Sequence, residues 1–394
     1  MESTFEFDGS FAPGTPQANV YDKIQPFVIS AVDGYDVCLF AYGQTGSGKT
    51  YTMEGGGSKA ATSPLSSPPS SSNTTANNAG GFHSGSLPKS ILPDRLRSRS
   101  ESYGMNREDG VYARALGTLF REAKERSAAL GTMKYNFEIS MTEIYLEECY
   151  DLLAPRSSTS NSGRVKVDLR QQKNGKVYAQ GLTRVGVTSP DDVQQVMTIG
   201  ARARSVGSHD FNAHSSRSHL VMTVTIIAES VKNNQSANGE EEEEEEEEHQ
   251  SSSSKQQAWS EPPPTTSLKQ RVSHLHMIDL AGSERISKTA ATGDRLKEAQ
   301  SINKSLSALG NVICALGKGN GGKSHIPFRD SKLTHLLSDS LNGNSKVIML
   351  LCVSPTQICG PETLCSLKFA SRCRATKLGR AKKKTMQRGK GVNS

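Results

Sequence analysis

The chain has 394 residues with a formal net charge of +7, and 34% of its residues are hydrophobic. The longest apolar run near the C-terminus, Val347–Val353, is far too short to span a bilayer, and the first residues lack the apolar core of a signal peptide. Seven cysteines without a C-x-x-C pair match neither a zinc site nor a disulfide framework. The composition therefore predicts a soluble, intracellular protein with reduced thiols and excludes a membrane span.

Two stretches differ in composition from the rest of the chain. Residues 56–107 are rich in Ser, Gly, Pro and Asn, and residues 231–267 contain nine consecutive glutamates, Glu240–Glu248. Both stretches are typical of disordered insertions, because they lack the apolar residues that a folded core needs. The remaining ~300 residues fit a single α/β domain.

The charge is unevenly distributed along the chain. Residues 231–267 carry two lysines and ten glutamates, a net charge of −8, so the rest of the chain carries +15. The last 24 residues, Ser371–Ser394, hold nine Lys or Arg and no acid. A basic body favours a polyanionic partner, and charge alone leaves nucleic acid, an acidic protein surface and a membrane open. A solvated surface with a basic tail is the simpler interpretation.

Hydrophobic periodicity predicts strands and helices that alternate along the chain. An amphipathic helix is expected over Asn19–Val32, a buried strand over Val37–Tyr42 and a short helix that ends at Gly55. The longest helix is expected over residues 297–317, where an apolar stripe contains Ala299, Ile302, Leu306, Leu309, Ile313 and Leu316. Further helices are expected near 109–120, 191–204, 330–341 and 361–378, and further strands near 134–153, 165–169, 176–178, 219–228, 271–279 and 347–353. This alternation predicts an α/β fold with a mostly parallel central sheet and helices on both faces.

The predicted buried strand leads directly into Gly43-x-x-x-x-Gly48-Lys49-Thr50, the full phosphate-loop pattern. Glycines let backbone N–H groups close around phosphate oxygens, where a side chain would block the approach. Lys49 can reach the β- and γ-phosphates, and the Thr50 hydroxyl can ligate Mg²⁺. A purely structural Gly-rich turn is disfavoured, because every fixed position of the pattern is filled. The predicted nucleotide-binding residues of the loop are Gly43, Gln44, Thr45, Gly46, Ser47, Gly48, Lys49 and Thr50.

Two later segments carry residues that suit a nucleotide site. The run Asp279–Gly282 follows a buried strand, where its acid can bind Mg²⁺ through water and its glycine N–H can meet the γ-phosphate. In the loop Asn212–His219, Ser216 could complete the Mg²⁺ shell and Arg217 could pair with Glu284. Taken alone, the first segment is a common acidic turn and the second is a Ser-rich loop or a phosphorylation site.

Together these segments resemble the three nucleotide motifs of the kinesin motor domain. The similarity covers nearly everything outside the two insertions and the extreme tail. Its C-terminal part is similar to the minus-end-directed kinesins whose motor lies at the C-terminus. The matching stretches are Gly43–Thr50, Asn212–His219, Asp279–Arg285, Asn303–Ile313, His325–Thr334, Glu362–Arg372 and Lys377–Lys383.

The resemblance implies a P-loop NTPase of the kinesin motor fold over residues 1–378, followed by a basic tail at 379–394. It implies a microtubule-stimulated ATPase that uses ATP and Mg²⁺ and moves along microtubules toward their minus end. The expected partner is tubulin and not nucleic acid, and the expected location is the cytoplasm, on cytoskeletal microtubules including those of the spindle. A homodimer would form through a stalk that this chain does not contain. The alternatives are a non-catalytic microtubule-binding module and a switch GTPase unrelated to filaments.

Residue roles follow from the resemblance by position in the motifs. Losing the γ-phosphate would remove charge-assisted hydrogen bonds and free both switch loops. The implied metal ligands are Thr50, Ser216 and Asp279, and Tyr51 is the residue expected to stack on adenine. The implied catalytic residues are Ser215, which positions the attacking water, Gly282, which bonds the γ-phosphate, and Arg217 with Glu284, which form a latch.

The helix at 297–317 would relay the nucleotide state to the filament. Cations that face the filament would be attracted to acidic tubulin, and salt would weaken this attraction. The alternative is that these residues are ordinary cations of a solvated surface. The glutamate run Glu240–Glu248 could repel tubulin, screen the basic face or serve as a plain acidic spacer. The residues that match filament-facing positions of the family are Arg285, Lys288, His325, Arg329 and Lys332.

The sequence departs from the family pattern at its N-terminus. The resemblance implies an earlier strand and an Arg-x-Arg-Pro segment at the adenine, and neither precedes Phe5. Since a missing central strand would cost many hydrogen bonds and much buried surface, we expect the sequence to be N-terminally incomplete. No sustained heptads that would predict a stalk are found.

Overall fold

The computed structural model describes residues 3–56, 107–155, 164–173, 175–205, 214–230, 269–285, 293–318 and 325–388. Apart from residues 56 and 107, the expected insertions at 56–107 and 231–267 lie outside this part of the chain. The prediction that they are disordered therefore stays a prediction.

Seven helices and eleven strands make up the described part of the fold. The helices are α1 (Gln17–Val32), α2 (Lys49–Glu54), α3 (Val111–Leu130), α4 (Pro190–Ser205), α5 (Asp294–Gly317), α6 (Lys332–Leu336) and α7 (Gly360–Ala375). The strands are β1 (Val37–Tyr42), β2 (Met133–Tyr145), β3 (Glu148–Asp151), β4 (Val165–Lys166), β5 (Leu169–Gln171), β6 (Val177–Ala179), β7 (Val185–Val187), β8 (His219–Ser230), β9 (Lys269–Asp279), β10 (Lys346–Leu351) and β11 (Gln387–Arg388).

The central sheet has the strand order β10-β1-β9-β8-β2-β3-β4, with β11 beside β9 and β7 beside β2. Strand β1 pairs in parallel with both β10 and β9. The pairs β8–β9, β2–β8, β2–β3, β3–β4, β2–β7 and β9–β11 are antiparallel. The α/β class is confirmed, but the expectation of a mostly parallel sheet is wrong. Strands that directly follow each other, such as β2 and β3, pair antiparallel because no helix crosses between them.

Helices cover both faces of this sheet, as expected. On one face α1, α3 and α4 pack on alternate strand residues, with Leu39 of β1 and Met277 of β9 in the core. On the other face α5, α6 and α7 pack against Phe40 of β1 and Ile278 of β9. Every residue of β1 is buried, which explains its uninterrupted apolar sequence.

Several element boundaries differ from the predictions. The helix expected over 330–341 is regular only in α6, and after Leu337 it continues as a distorted helical turn at Ser340–Asn344, where Gly343 adopts a positive φ of 85°. The last helix ends at Ala375, because the following tail turns back along the sheet and pairs with β9 through β11. No helix in the described residues is long and apolar enough to cross a membrane.

Candidate nucleotide-binding site

The phosphate loop connects the end of β1 to the start of α2. Gly43, Gly46 and Gly48 all have positive φ angles, of 150°, 78° and 102°. A Cβ atom at Gly43 would collide with the backbone carbonyl oxygen of Cys352, so this position requires glycine for space as well as for conformation. The predicted strand, loop and helix are therefore confirmed as a local structure.

Lys49 is folded into the loop and is only 6% exposed. Its ammonium group donates hydrogen bonds to the carbonyl oxygens of Gly43 at 2.8 Å and Gln44 at 2.9 Å. Burial lowers the pKa of Lys49, and the nearby carboxylates of Asp279 and Glu284 oppose that shift. The loop thus holds a desolvated cation at the position where the pattern expects phosphate.

The residues expected around Mg²⁺ come together at the end of β9. The Thr50 hydroxyl donates to Asp279 Oδ2 at 2.8 Å, and the other oxygen, Oδ1, is buried without a hydrogen-bond partner. Burial raises the pKa of Asp279, although Arg204, Thr50 and Lys49 oppose the shift. An unpaired carboxylate oxygen beside a hydroxyl fits a hard cation such as Mg²⁺. No group of three or more His, Cys, Asp or Glu among the described residues could hold a metal, and Mg²⁺ usually needs fewer protein ligands together with phosphate oxygens.

The two predicted switch segments are tied to each other and to the phosphate loop. The backbone N–H of Gly282 donates to the carbonyl oxygen of Ser216 at 2.8 Å, and the N–H of Ser283 donates to Gly43 at 3.1 Å. Ser215 and Ser216 are partly exposed, and residues 206–213 lie outside the described chain. Three motifs that are far apart in the sequence therefore meet at one place.

The expected ion pair between Arg217 and Glu284 is not formed in this arrangement. Arg217 donates to Glu298 of α5 at 2.9 Å, and Tyr145 donates to the other oxygen of Glu298 at 2.6 Å. Both oxygens of Glu284 accept hydrogen bonds from Thr45. Because Arg217 bonds to Glu298 and Glu284 bonds to Thr45, the two residues do not pair with each other in this arrangement.

Sequence reasoning missed a buried charged cluster that supports the first switch. Glu143 of β2 is fully buried and lies beside Arg164, the Nε atom of Arg204 at 3.6 Å and His214 Nε2 at 2.9 Å. Arg204 also donates to the backbone oxygens of Ser215 and Ser218, both at 3.1 Å. The only available signal was an acid inside the apolar run 134–153 and a basic residue at the end of a helix.

Sequence reasoning also missed the role of His219, the first residue of β8. Burial lowers its pKa to about 3, so the ring is neutral. Its Nδ1 accepts from the N–H of Ala281 at 3.0 Å, which leaves Nε2–H to donate to Ser305 of α5 at 2.8 Å. Ser305 in turn donates to Ile302 O at 2.8 Å. A continuous hydrogen-bonded chain thus joins the second switch to the long helix.

Tyr51 lies on α2 with 54% of its surface exposed. Its backbone carbonyl accepts a hydrogen bond from Gln17 at 2.6 Å, which fixes the backbone and leaves the ring accessible. An exposed aromatic face beside the phosphate loop is suited to stacking on a base. The expected adenine contact stays a prediction.

Four of the five predicted filament-binding cations fall within the described residues, and they lie at separate points of the fold. Arg285 contacts the sulfur of Cys365, and exposed Arg329 donates to Gln171 at 2.8 Å. Lys332 opens α6, where its backbone N–H donates to Glu147. His325 is exposed, and Lys288 lies outside the described residues. Their role in filament binding stays a prediction.

Comparisons with known proteins agree with this geometry. A sequence model described as the Kinesin motor domain matches residues 1–376. The chain is 38% identical over 384 residues to kinesin-like protein KIN-14Q of Arabidopsis thaliana, covering 97% of this chain and 24% of that protein. The chain thus spans about a quarter of the length of this curated relative.

Two solved structures are similar over most of the chain. The Kar3 motor domain of Saccharomyces cerevisiae has a TM-score of 0.62 and 29% identity, and the match covers 94% of this chain and 84% of that one. A KIF14 dimer solved with AMP-PNP in complex with a microtubule has a TM-score of 0.67 and 31% identity, covering 96% and 84%.

Proposed function

Because the chain belongs to the kinesin motor domain family, we propose that it is a microtubule-stimulated ATPase that moves along microtubules toward their minus end. The observation that carries this proposal is the meeting of three distant motifs, in which Gly282 bonds Ser216 beside the Thr50–Asp279 hydrogen bond. The direction rests on the likeness to a KIN-14 protein and to Kar3.

In this proposal the phosphate loop binds ATP and the adjacent oxygen ligands hold Mg²⁺. Lys49 leaves its two loop carbonyls to donate to phosphate oxygens, which offsets the cost of its burial. Thr50, Ser216 and Asp279 hold the metal, which neutralises developing phosphate charge when it is bound. Tyr51 stacks on the base.

Hydrolysis requires both switch segments to close on the phosphate loop. Ser215 positions the attacking water, and Gly282 exchanges the Ser216 carbonyl for the γ-phosphate. Arg217 moves from Glu298 to Glu284, which gives up Thr45 and completes the latch. The buried cluster around Glu143 and Arg204 anchors the start of the first switch during this exchange.

Filament binding is coupled to this closure through α5. The bond between Ala281 and His219 joins the second switch to Ser305, so a shift of that switch acts directly on the helix. The cations proposed to contact acidic tubulin are Arg285, Lys288, His325, Arg329 and Lys332. The protein then acts as a homodimer on cytoplasmic microtubules, including those of the spindle.

The direct test is ATP turnover by the purified protein with and without microtubules. We expect strong stimulation by microtubules, no turnover in Lys49→Ala, and gliding of polarity-marked microtubules with their plus ends leading. A folded, nucleotide-binding protein that microtubules do not stimulate would refute the motor proposal. If the protein co-sediments with microtubules equally with and without ATP, it is a non-catalytic binding module. If GTP binds the site in preference to ATP, it is a switch GTPase.

A further inference from the structure

The C-terminal tail forms a basic surface at the end of the sheet where β1, β9 and β10 begin. The backbone N–H groups of Lys382 and Lys384 donate to Asn344 at 3.3 Å and to Gly34 at 2.8 Å. The tail then pairs with the start of β9 through β11. These contacts hold the tail on the domain.

Most cations of this surface have no acidic partner. Residues 376–388 contain six Lys or Arg and no acid. Of these, Lys384 pairs with Asp36 at 2.8 Å. Five exposed cations make no ion pair with any residue that the structure describes, and we call them the tail surface: Lys269, Lys377, Arg380, Lys382 and Lys383. Such clustered, unpaired cations attract polyanions.

The acidic segment of the chain enters and leaves at the same end of the sheet. Strand β8 ends at Ser230 and β9 begins at Lys269, and the glutamate run Glu240–Glu248 lies between them in the sequence. Gln270 is paired with Glu229 on one side and with Gln387 of the tail on the other. Two strand spacings, about 10 Å, therefore separate the end of β8 from the tail.

The connecting chain is long enough for the glutamates to reach the tail surface. Nine residues separate Ser230 from Glu240, and nine extended residues span roughly 30 Å. Because the two groups belong to one chain, their effective concentration is on the order of millimolar. The glutamate run carries nine negative charges and the tail surface carries five unpaired cations, so the two are complementary in charge.

We propose that Glu240–Glu248 binds the tail surface within the same molecule. This contact neutralises the tail cations and withholds them from other polyanions, acidic filament surfaces included. The proposal concerns a contact inside the chain and does not depend on ATP hydrolysis. It assigns the acidic segment a specific partner in place of general repulsion or spacing.

The test is zero-length carbodiimide cross-linking of the full chain, which joins carboxylates to contacting lysines. In a mixture of ¹⁵N-labelled and unlabelled protein, we expect same-isotope links from Glu240–Glu248 to Lys377, Lys382 and Lys383. Per lysine, these links should exceed those to the exposed control lysines Lys23 and Lys124 by roughly tenfold. They should disappear at 0.5 M salt, where the screening length is only about 4 Å.

Two results would overturn the proposal. One is an even spread of links over tail and control lysines, and the other is links that mix isotopes, which would place the contact between copies. As a second measurement, all nine glutamates are replaced with glutamine. Amide hydrogen exchange in residues 382–388 should then accelerate several-fold, because the glutamate run no longer binds and protects the tail. Unchanged exchange in a variant with the normal melting temperature would also refute it.

Discussion

The Glu284 carboxylate accepts two hydrogen bonds from Thr45, one from its backbone N–H at 2.8 Å and one from its hydroxyl at 2.5 Å. Arg217, the expected partner of Glu284, donates to Glu298 instead. The two members of the proposed latch are thus held by different elements, the phosphate loop and α5. Closing the latch requires both contacts to break, so the free energy of these contacts sets how readily the site closes.

We expect Glu298→Gln to make latch closure easier. The substitution removes the charge that holds Arg217, and hydrogen bonds to charged groups contribute about 1.5–3 kcal/mol. Because Arg217 is 28% exposed, the lower value is appropriate, and it corresponds to a roughly tenfold rise in ATP turnover without microtubules. Steady-state phosphate release measures this rate.

Tyr145→Phe provides the matched control for that experiment. It removes the hydroxyl that bonds Glu298 at 2.6 Å but leaves every charge in place, so turnover should change by less than about threefold. If Glu298→Gln lowers turnover, Glu298 supports the closed state and the partner exchange described above is wrong.

The glycines of the phosphate loop should differ sharply in their tolerance of a methyl group. Gly43→Ala would drive Cβ into the carbonyl of Cys352, whereas a Cβ at Gly46 meets nothing within 4 Å. Gly46→Ala should cost only the left-handed conformation, about 1–2 kcal/mol. We expect Gly43→Ala to weaken ATP binding at least roughly a hundredfold, since the loop must shift, and calorimetric titration of both variants measures the difference. Equal affinities would show that the loop is not held by Cys352.

The phosphate loop could be predicted because its function depends on local sequence. Five residues separate Gly43 from Lys49, and the backbone conformation that glycine permits is set within that short loop. The long helix α5 was predictable for a similar reason, since Leu306, Leu309 and Ile313 repeat at helical spacing.

The partners of the switch residues could not be predicted from local patterns. Glu298 is one of several charged residues at the start of α5, and only the packed fold brings it to Arg217. The same holds for Glu143, whose place on β2 gives no sign that it meets His214. The mixed sheet was missed because alternation of strands and helices does not reveal which strands become neighbours.

Stability should decrease as the pH falls below about 6.5. Burial lowers the pKa of His219 to about 3 and those of His214 and His276 to about 4. Between these values and the ordinary pKa of 6.5, the unfolded chain binds protons that the folded chain does not. Each such histidine therefore removes up to about 1.4 kcal/mol of unfolding free energy per pH unit as the pH decreases.

Urea unfolding at pH 5, 6 and 7 tests this prediction with His219→Gln. Between pH 7 and pH 5, the unfolding free energy of the variant should fall by about 1–2 kcal/mol less than that of the parent protein, whatever its stability at neutral pH. His325→Gln, which replaces a histidine at an exposed position, is the matched control. If the unfolding free energies of the parent protein and His219→Gln changed equally with pH, a neutral, buried His219 would be contradicted.

The link from His219 to α5 should be required for coupling and not for nucleotide binding. Ser305→Ala removes the hydroxyl that His219 Nε2 contacts at 2.8 Å, and among the described residues this hydroxyl bonds to His219 and Ile302 and to no residue of the phosphate loop. Coupling between sites typically amounts to 1–3 kcal/mol, so the ratio of microtubule affinities with an ATP analogue and with ADP should fall roughly fivefold or more. Affinity for ATP without microtubules should stay within about twofold. Ser307→Ala, on the exposed side of the same helix, controls for changes in helix propensity. A ratio that Ser305→Ala leaves intact would mean that the second switch reaches α5 by another route.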